Sequence, residues 1–178
     1  QRRRRNAPCS PAVRMSRSTR LREIRSRSEA DDEDGTPHPI DALIDWAWRA
    51  PKERAGDDVL RLTATFLCWC LATPNRRIRD RATRALAAVL LERPTLFSDL
   101  LARFVGVDDP YVLERLLAAA YGMACASLTR PDVLAGLASA VFHHVFADGR
   151  PPVHLLVRDF ARGTVEVAAI HGALGPGI

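Results

Sequence analysis

The chain has 178 residues, 47% of them hydrophobic, enough for one domain with a core of its own. It holds no run of about 18 apolar residues that would span a bilayer, and no short apolar segment after its basic start that would read as a secretory signal. The formal charge of +5 belongs to one end: residues 1–30 hold ten arginines against Glu23 and Glu29, a net of +8, and the other 148 residues carry −3.

Residues 1–35 are rich in Arg, Ser and Pro and pass through the acidic run Asp31-Asp32-Glu33-Asp34 to Gly35. So few apolar side chains cannot offset the entropy of ordering, which predicts a disordered basic tail or linker. Such a tail attracts any polyanion weakly and without sequence preference, through counterion release. The RSRS stretch from Arg25 to Ser28 admits a phosphorylation or RNA-contact reading, with a solvated linker the plainer one. A start at Gln1 and a stop at LGPGI, just after a helical pattern, suggest a piece of something larger.

Residues 36–178 read as an α-helical domain. Apolar periodicity with proline and glycine punctuation predicts helices at roughly 38–49, 56–72, 75–92, 94–105, 109–126, 130–147 and 151–172. Pro39, Pro74, Pro94, Pro110, Pro131 and Pro151 lie at or near the starts, where a missing N–H costs little. Asn75, Asp108 and Thr129 are the expected capping residues.

In the first helix Asp41 and Asp45 stand beside Trp46 and Trp48. Carboxylates near tryptophans would suit an enzyme that excises alkylated bases, but IDALIDWAWRAP also reads as an amphipathic helix with an ordinary tryptophan core. The single lysine, Lys52, sits in APKER, with no glycine loop before it and no Ser or Thr after it, so it does not make a phosphate-binding P-loop. In the second helix Cys68 and Cys70, two positions apart, point about 200° from each other. Buried apolar thiols fit them better than a metal site. With Cys9 and Cys125 they form no disulfide framework, as in reduced cytosolic proteins.

The third helix lies in NRRIRDRATRALAAVLLERP, which contains six arginines. Ile78, Ala82, Ala85, Leu86, Val89 and Leu90 share one sector, the predicted core stripe. Arg76, Arg77, Asp80, Arg81 and Arg84 fall on the opposite side. The four arginines of that side are a solvated face first, with polyanion contact and protein contact as the other readings. Arg79 falls inside the apolar sector, and Arg158 stands in the same relation to its own helix. An arginine there is costly unless satisfied, so Arg79 is expected to reach a carboxylate or carbonyl on an adjacent helix. Asp80 and Asp159 are expected to reach the other way, as a ladder that fixes register.

Further along, VDDP (Val107 to Pro110) has too few carboxylates for a calcium loop and reads as a helix start. Tyr111 and Tyr121 flank a core stripe. His143, His144, His154 and His171 do not converge at their spacing, which favours structural roles over zinc or acid–base chemistry. The stretch Ile78-Arg79-Asp80-Arg81-Ala82 is echoed by Val157-Arg158-Asp159-Phe160-Ala161 and more loosely by Val112-Leu113-Glu114-Arg115-Leu116. With Asp80, Glu114 and Asp159 equivalent, the spacings of 34 and 45 residues are those of stacked helical hairpins. The expected fold is all-α: an α-solenoid of antiparallel helix pairs in a right-handed stack.

RIRDRATRALAAVL resembles the second helix of a HEAT-type repeat, which makes the expected α-solenoid HEAT-like. The set NRRIRDRATRAL, VDDPYVLERLLAAAYG and HLLVRDFARGTVEVA resembles the helical-repeat region of large bacterial STAND (NACHT-type) ATPases, antiviral Avs-like proteins among them, over about residues 38–174. The resemblance implies an intracellular defence protein with an effector, a nucleotide switch and a C-terminal solenoid that senses a foreign protein. It transfers no catalytic residue to these positions. The expectation is therefore a non-catalytic, cytoplasmic segment without cofactor or metal that binds a protein ligand, any oligomer forming through an ATPase domain elsewhere. The alternative is a nucleic-acid-binding module using Arg76, Arg77, Arg81, Arg84 and the tail. A base-excising enzyme dependent on Asp41 or Asp45 is the remote third reading.

Overall fold

The computed structural model describes residues 38–175 and 178. The chain divides into Gln1–His38 and Pro39–Ile178. The tail over residues 1–35, its Arg25–Ser28 stretch, its acidic run and Cys9 lie outside the described residues.

The described residues form seven helices and no strand: α1 (Pro39–Arg49), α2 (Asp57–Cys70), α3 (Arg76–Glu92), α4 (Thr95–Phe104), α5 (Pro110–Ala126), α6 (Pro131–Val145) and α7 (Leu155–Ile170). Prolines at the first position start α1, α5 and α6, because a fixed φ and a missing donor suit the first turn. Asn75 caps α3 as expected, accepting from the backbone N–H of Arg77 and Ile78. For α5 the cap is Asp109, not Asp108, since Pro110 is the first helical residue and the cap immediately precedes it. By the same rule Arg130, not Thr129, precedes α6, and no side chain caps it. The last helix begins at Leu155 rather than 151, because the His154 side chain accepts from Val157 N–H and sets the start there.

The helices contact one another mainly at every second position. α1 packs on α3, α3 on α5 and α5 on α7, while α2 touches α4 and α4 packs on α6. α3 also packs against α2, and α7 against α6. The direction of each pair follows from its contacts. Asp45 of α1 meets Arg81 of α3, and three residues on, Trp48 meets Arg84. Asp80 meets Arg115 near the starts of α3 and α5, and Arg130 just after α5 donates to the Leu91 carbonyl near the end of α3. Tyr111 lies by His154, and Tyr121 by Phe160. So α1, α3, α5 and α7 run the same way. So do α2 and α4: Asp57 bonds Arg93 just before α4, and Trp69 meets Phe104 at its end.

Small side chains allow this close approach. Ala82 and Ala85 of α3, Ala120 and Ala124 of α5, and Ala161 and Ala168 of α7 are fully buried, and helix separation follows the bulk at the contact. Leu86, Leu90, Leu101, Leu116 and Met123 fill the remaining space with Phe97 and Phe104. Among the described glycines, Gly163 of α7 alone would bring a Cβ against a neighbour, 2.9 Å from the Tyr121 ring.

Candidate functional site

A chain of interhelical polar contacts runs from α1 through α3 and α5 to His154, the residue that caps α7. Arg81 of α3 lies between α1 and α3, where it donates to the Asp41 carboxylate and, at 2.9 Å, to Asp45. Asp80 accepts from Arg115 of α5 at 2.9 Å, with Arg76 of its own helix 3.4 Å away. Glu114, buried on α5, has Arg115 Nε at 3.6 Å and His154 Nε2 at 3.8 Å, contacts longer than hydrogen bonds. The other His154 nitrogen, Nδ1, accepts from Val157 N–H.

Asp80, Glu114 and Asp159 are each the fifth residue of their helices, the positions that the sequence repeat equates. Asp80 and Glu114 face a basic group of the next helix in the series. Asp159 is exposed and makes no ion pair among the described residues. Arg158 is exposed as well, unlike its expected counterpart Arg79, because no further described helix covers that side of α7. Arg79 is half-buried and donates to the Thr73 carbonyl at 3.0 Å. That partner is a carbonyl, as expected, but it belongs to the turn leading into Arg79's own helix and not to a neighbouring one. Arg79 Nε has no partner among the described residues.

The outer arginines separate into two kinds. Arg81 departs from the expected exposed face: its side chain is 14% exposed and held by two carboxylates. Arg76, Arg77 and Arg84 remain on the surface. Arg84 places its guanidinium 5.1 Å from the centre of the Trp48 ring, and Arg49 lies 5.0 Å from the same ring. Two guanidiniums against one indole, with Arg77 about two turns from Arg84 on the same helix, make a basic–aromatic face at the α1–α3 edge. Asp41 and Asp45 both accept from Arg81.

The remaining candidates stay apart. Cys68 and Cys70 are both buried, and burial pushes the Cys68 thiol up to about 12, helped by Cys70 and opposed by Arg103. Cys125 is exposed. His143 and His144 stack edge to face as chain neighbours, and His171 closes α7. Among the described residues no three His, Cys, Asp or Glu side chains gather as a metal site would require. Lys52, read only as the lysine of a missing P-loop, is buried and donates to the Ala50 carbonyl, just past the end of α1.

Grooves open on the described surface. One of about 370 Å³ runs between α4 and α6, over Phe97, Ser98, Arg130, Val133 and Gly136. One of about 280 Å³ is lined by Phe146, Pro151, Leu155, Arg158, Asp159 and Arg162. Sequence reasoning missed Arg115 and His154 as ladder partners. The adjacent Glu114-Arg115 pair was a usable signal for the first. His154 offered none, since histidine is not a usual capping residue. No described helix is long and apolar enough to cross a membrane. No family model, curated protein or solved structure matches the chain.

Proposed function

We propose that residues 39–178 are a non-catalytic stretch of HEAT-like α-solenoid, built of antiparallel helix pairs, that serves as a protein-binding scaffold in a STAND-type defence ATPase of the bacterial cytoplasm. The observation that supports the solenoid reading is the spacing of contacts: α1, α3, α5 and α7 pack in series and run the same way. Intervening helices joined by short links must then return in the opposite sense, which is the geometry of stacked hairpins. Polar rungs at Asp45–Arg81 and Asp80–Arg115 lock that register. A stack of this kind presents long side surfaces, the property a scaffold needs. The STAND assignment itself rests on the resemblance of the three sequence stretches.

One observation favours the second reading, a nucleic-acid-binding module: Arg49 and Arg84 around Trp48, with Arg76 and Arg77 exposed alongside. Aromatic platforms with flanking cations hold single strands through stacking and phosphate contacts. The deciding experiment is DNA and RNA binding by residues 1–178 and 36–178, each at low and physiological salt. The scaffold reading expects polyanion binding to vanish with the tail, and a protein ligand to bind both chains equally. Retained binding by 36–178, with a steep salt slope that Arg77→Ala and Arg84→Ala flatten, overturns it in favour of the second.

A further inference from the structure

His154 makes two contacts with one ring. Its Nδ1 accepts from Val157 N–H at 3.4 Å and so sets the start of α7. A neutral imidazole has one acceptor nitrogen and one N–H, which assigns the proton to Nε2. That nitrogen lies toward α5, where Glu114 Oε2 stands 3.8 Å away. The ring is thus seated on the helix start, and its distance to the carboxylate is longer than a hydrogen bond. Glu114 is badly placed for a charge. Its side chain is 8% exposed, and Arg115 Nε, at 3.6 Å, is also too far to bond. A buried carboxylate short of hydrogen bonds is costly, so it attracts any positive charge that arises beside it.

The earlier junctions of the series use arginine: Arg81 between α1 and α3, and Arg115 between α3 and α5. Those guanidiniums do not lose their charge. His154 stands at the third junction, and histidine is the side chain whose charge changes between about pH 5 and pH 8. A second proton on the ring goes to Nδ1 and faces the Val157 N–H, donor against donor, so the cap is lost. The new charge also lies at the start of α7, the end where the helix dipole repels cations. On the other side, Nε2–H becomes a charged donor toward Glu114, and such bonds are shorter and roughly twice as strong as neutral ones. The two contacts are compatible on the neutral ring and compete on the charged one. From α5, Tyr111 also meets the ring, edge to face at 6.3 Å, and Arg115 lies behind Glu114. Glu114 is the only carboxylate within 4 Å of the ring among the described residues, so neither α6 nor Asp159 of α7 rivals it. Arg158, on the first turn of α7, is exposed.

We infer that His154 is an acid-operated cap: neutral, it holds the first turn of α7, and protonated, it leaves Val157 and bonds Glu114 of α5. Leu155 and Arg158, in the turn that the cap sets, line the groove of about 280 Å³ with Phe146 and Asp159, so the proton acts on one wall of that groove. The inference goes beyond the scaffold reading and does not depend on the ligand. It is tested by NMR on the full chain, isotope-labelled and titrated from about pH 8 to about pH 5. At the alkaline end the ring nitrogens of His154 are expected to show the Nε2–H form. As the ring takes up its proton, the Val157 amide proton is expected to move upfield along the same curve, and cross-relaxation between the ring and the Glu114 side chain to strengthen. His154→Asn, which caps without a proton to gain, is expected to keep the helical circular dichroism and to hold the Val157 amide still throughout. The Nδ1–H form at the alkaline end overturns the inference. So does a Val157 amide, or a ring-to-Glu114 contact, that stays unchanged while the ring titrates. A Val157 amide that still moves in His154→Asn overturns it too, and assigns the titration to another group.

Discussion

Asp80 on α3 and Arg115 on α5 meet at 2.9 Å, both side chains about a third exposed or less, and Asp80 takes a second cation from Arg76 of its own helix. The pair joins two helices that are not consecutive in the chain, so it reports on stacking and not on local helix formation. Asp80→Ala and Arg115→Ala should each lower stability by about 1 kcal/mol, the upper end for partly solvated pairs. A double-mutant cycle by urea unfolding should return a coupling of about 0.5 kcal/mol or more between them. Strict additivity would mean that the contact contributes nothing to register.

Arg81 should matter more than its exposed neighbours. Its removal leaves Asp41 and Asp45 one turn apart with no cation between them, and like charges at that spacing repel. Arg81→Ala is expected to cost about 1–3 kcal/mol, a fall in Tm of several degrees. Arg77→Ala, at an exposed position, should stay within about 0.5 kcal/mol. Thermal unfolding of the two variants side by side checks this, and equal stability would return Arg81 to the solvated face.

Gly136 and Gly163 both lie inside helices, but their surroundings differ. Nothing stands within 4 Å of a Cβ at Gly136, whereas one at Gly163 meets the Tyr121 ring at 2.9 Å. Gly136→Ala should stabilise by up to about 1 kcal/mol through helix propensity alone. Gly163→Ala should lose that gain, because the ring must shift and the α5–α7 contact with it. Chemical denaturation of both variants tests the pair of outcomes.

The thiol of Cys68 gives a pH dependence with a defined sign. Its pKa is raised from 9.0 to about 12, first by burial, then by the neighbouring Cys70. In the unfolded chain the thiol ionises near 9.0, while in the native state it stays protonated to about 12. The raised value therefore stabilises the fold fully below pH 9.0, and the contribution fades as pH rises toward about 12. Cys68→Ala should flatten the alkaline loss of stability in that window. A thiol reagent under native conditions should label Cys125 well before Cys68, which stays unlabelled until unfolding.

The helices were legible because their signals are local. Apolar residues at helical spacing and prolines at first positions placed all seven, with ends within about four residues, the largest error at the start of α7. The core stripe of α3 was legible for the same reason: Ala82, Ala85, Leu86, Val89 and Leu90 are buried, and Ile78 at its start is half-buried against them. Arg81 was not, because a helical wheel shows which side of a helix faces inward but not what approaches the opposite side. α1 arrives there with Asp41 and Asp45, across a sequence separation of 36 to 40 residues. The exposure of Val59, Leu62 and Phe66 on α2 escaped for the converse reason: they have the composition of a core face, and sequence periodicity cannot tell a face the domain covers from one it leaves open.

What the sequence determined by itself is the helical content of the described residues, the position of each of their helices and the shared fifth position of Asp80, Glu114 and Asp159, since propensity, capping and periodicity act over a few residues. Which charges pair, which arginines stay free and which apolar face is left uncovered was decided only by the tertiary structure, since ion pairs and burial depend on what packing brings within a few ångströms.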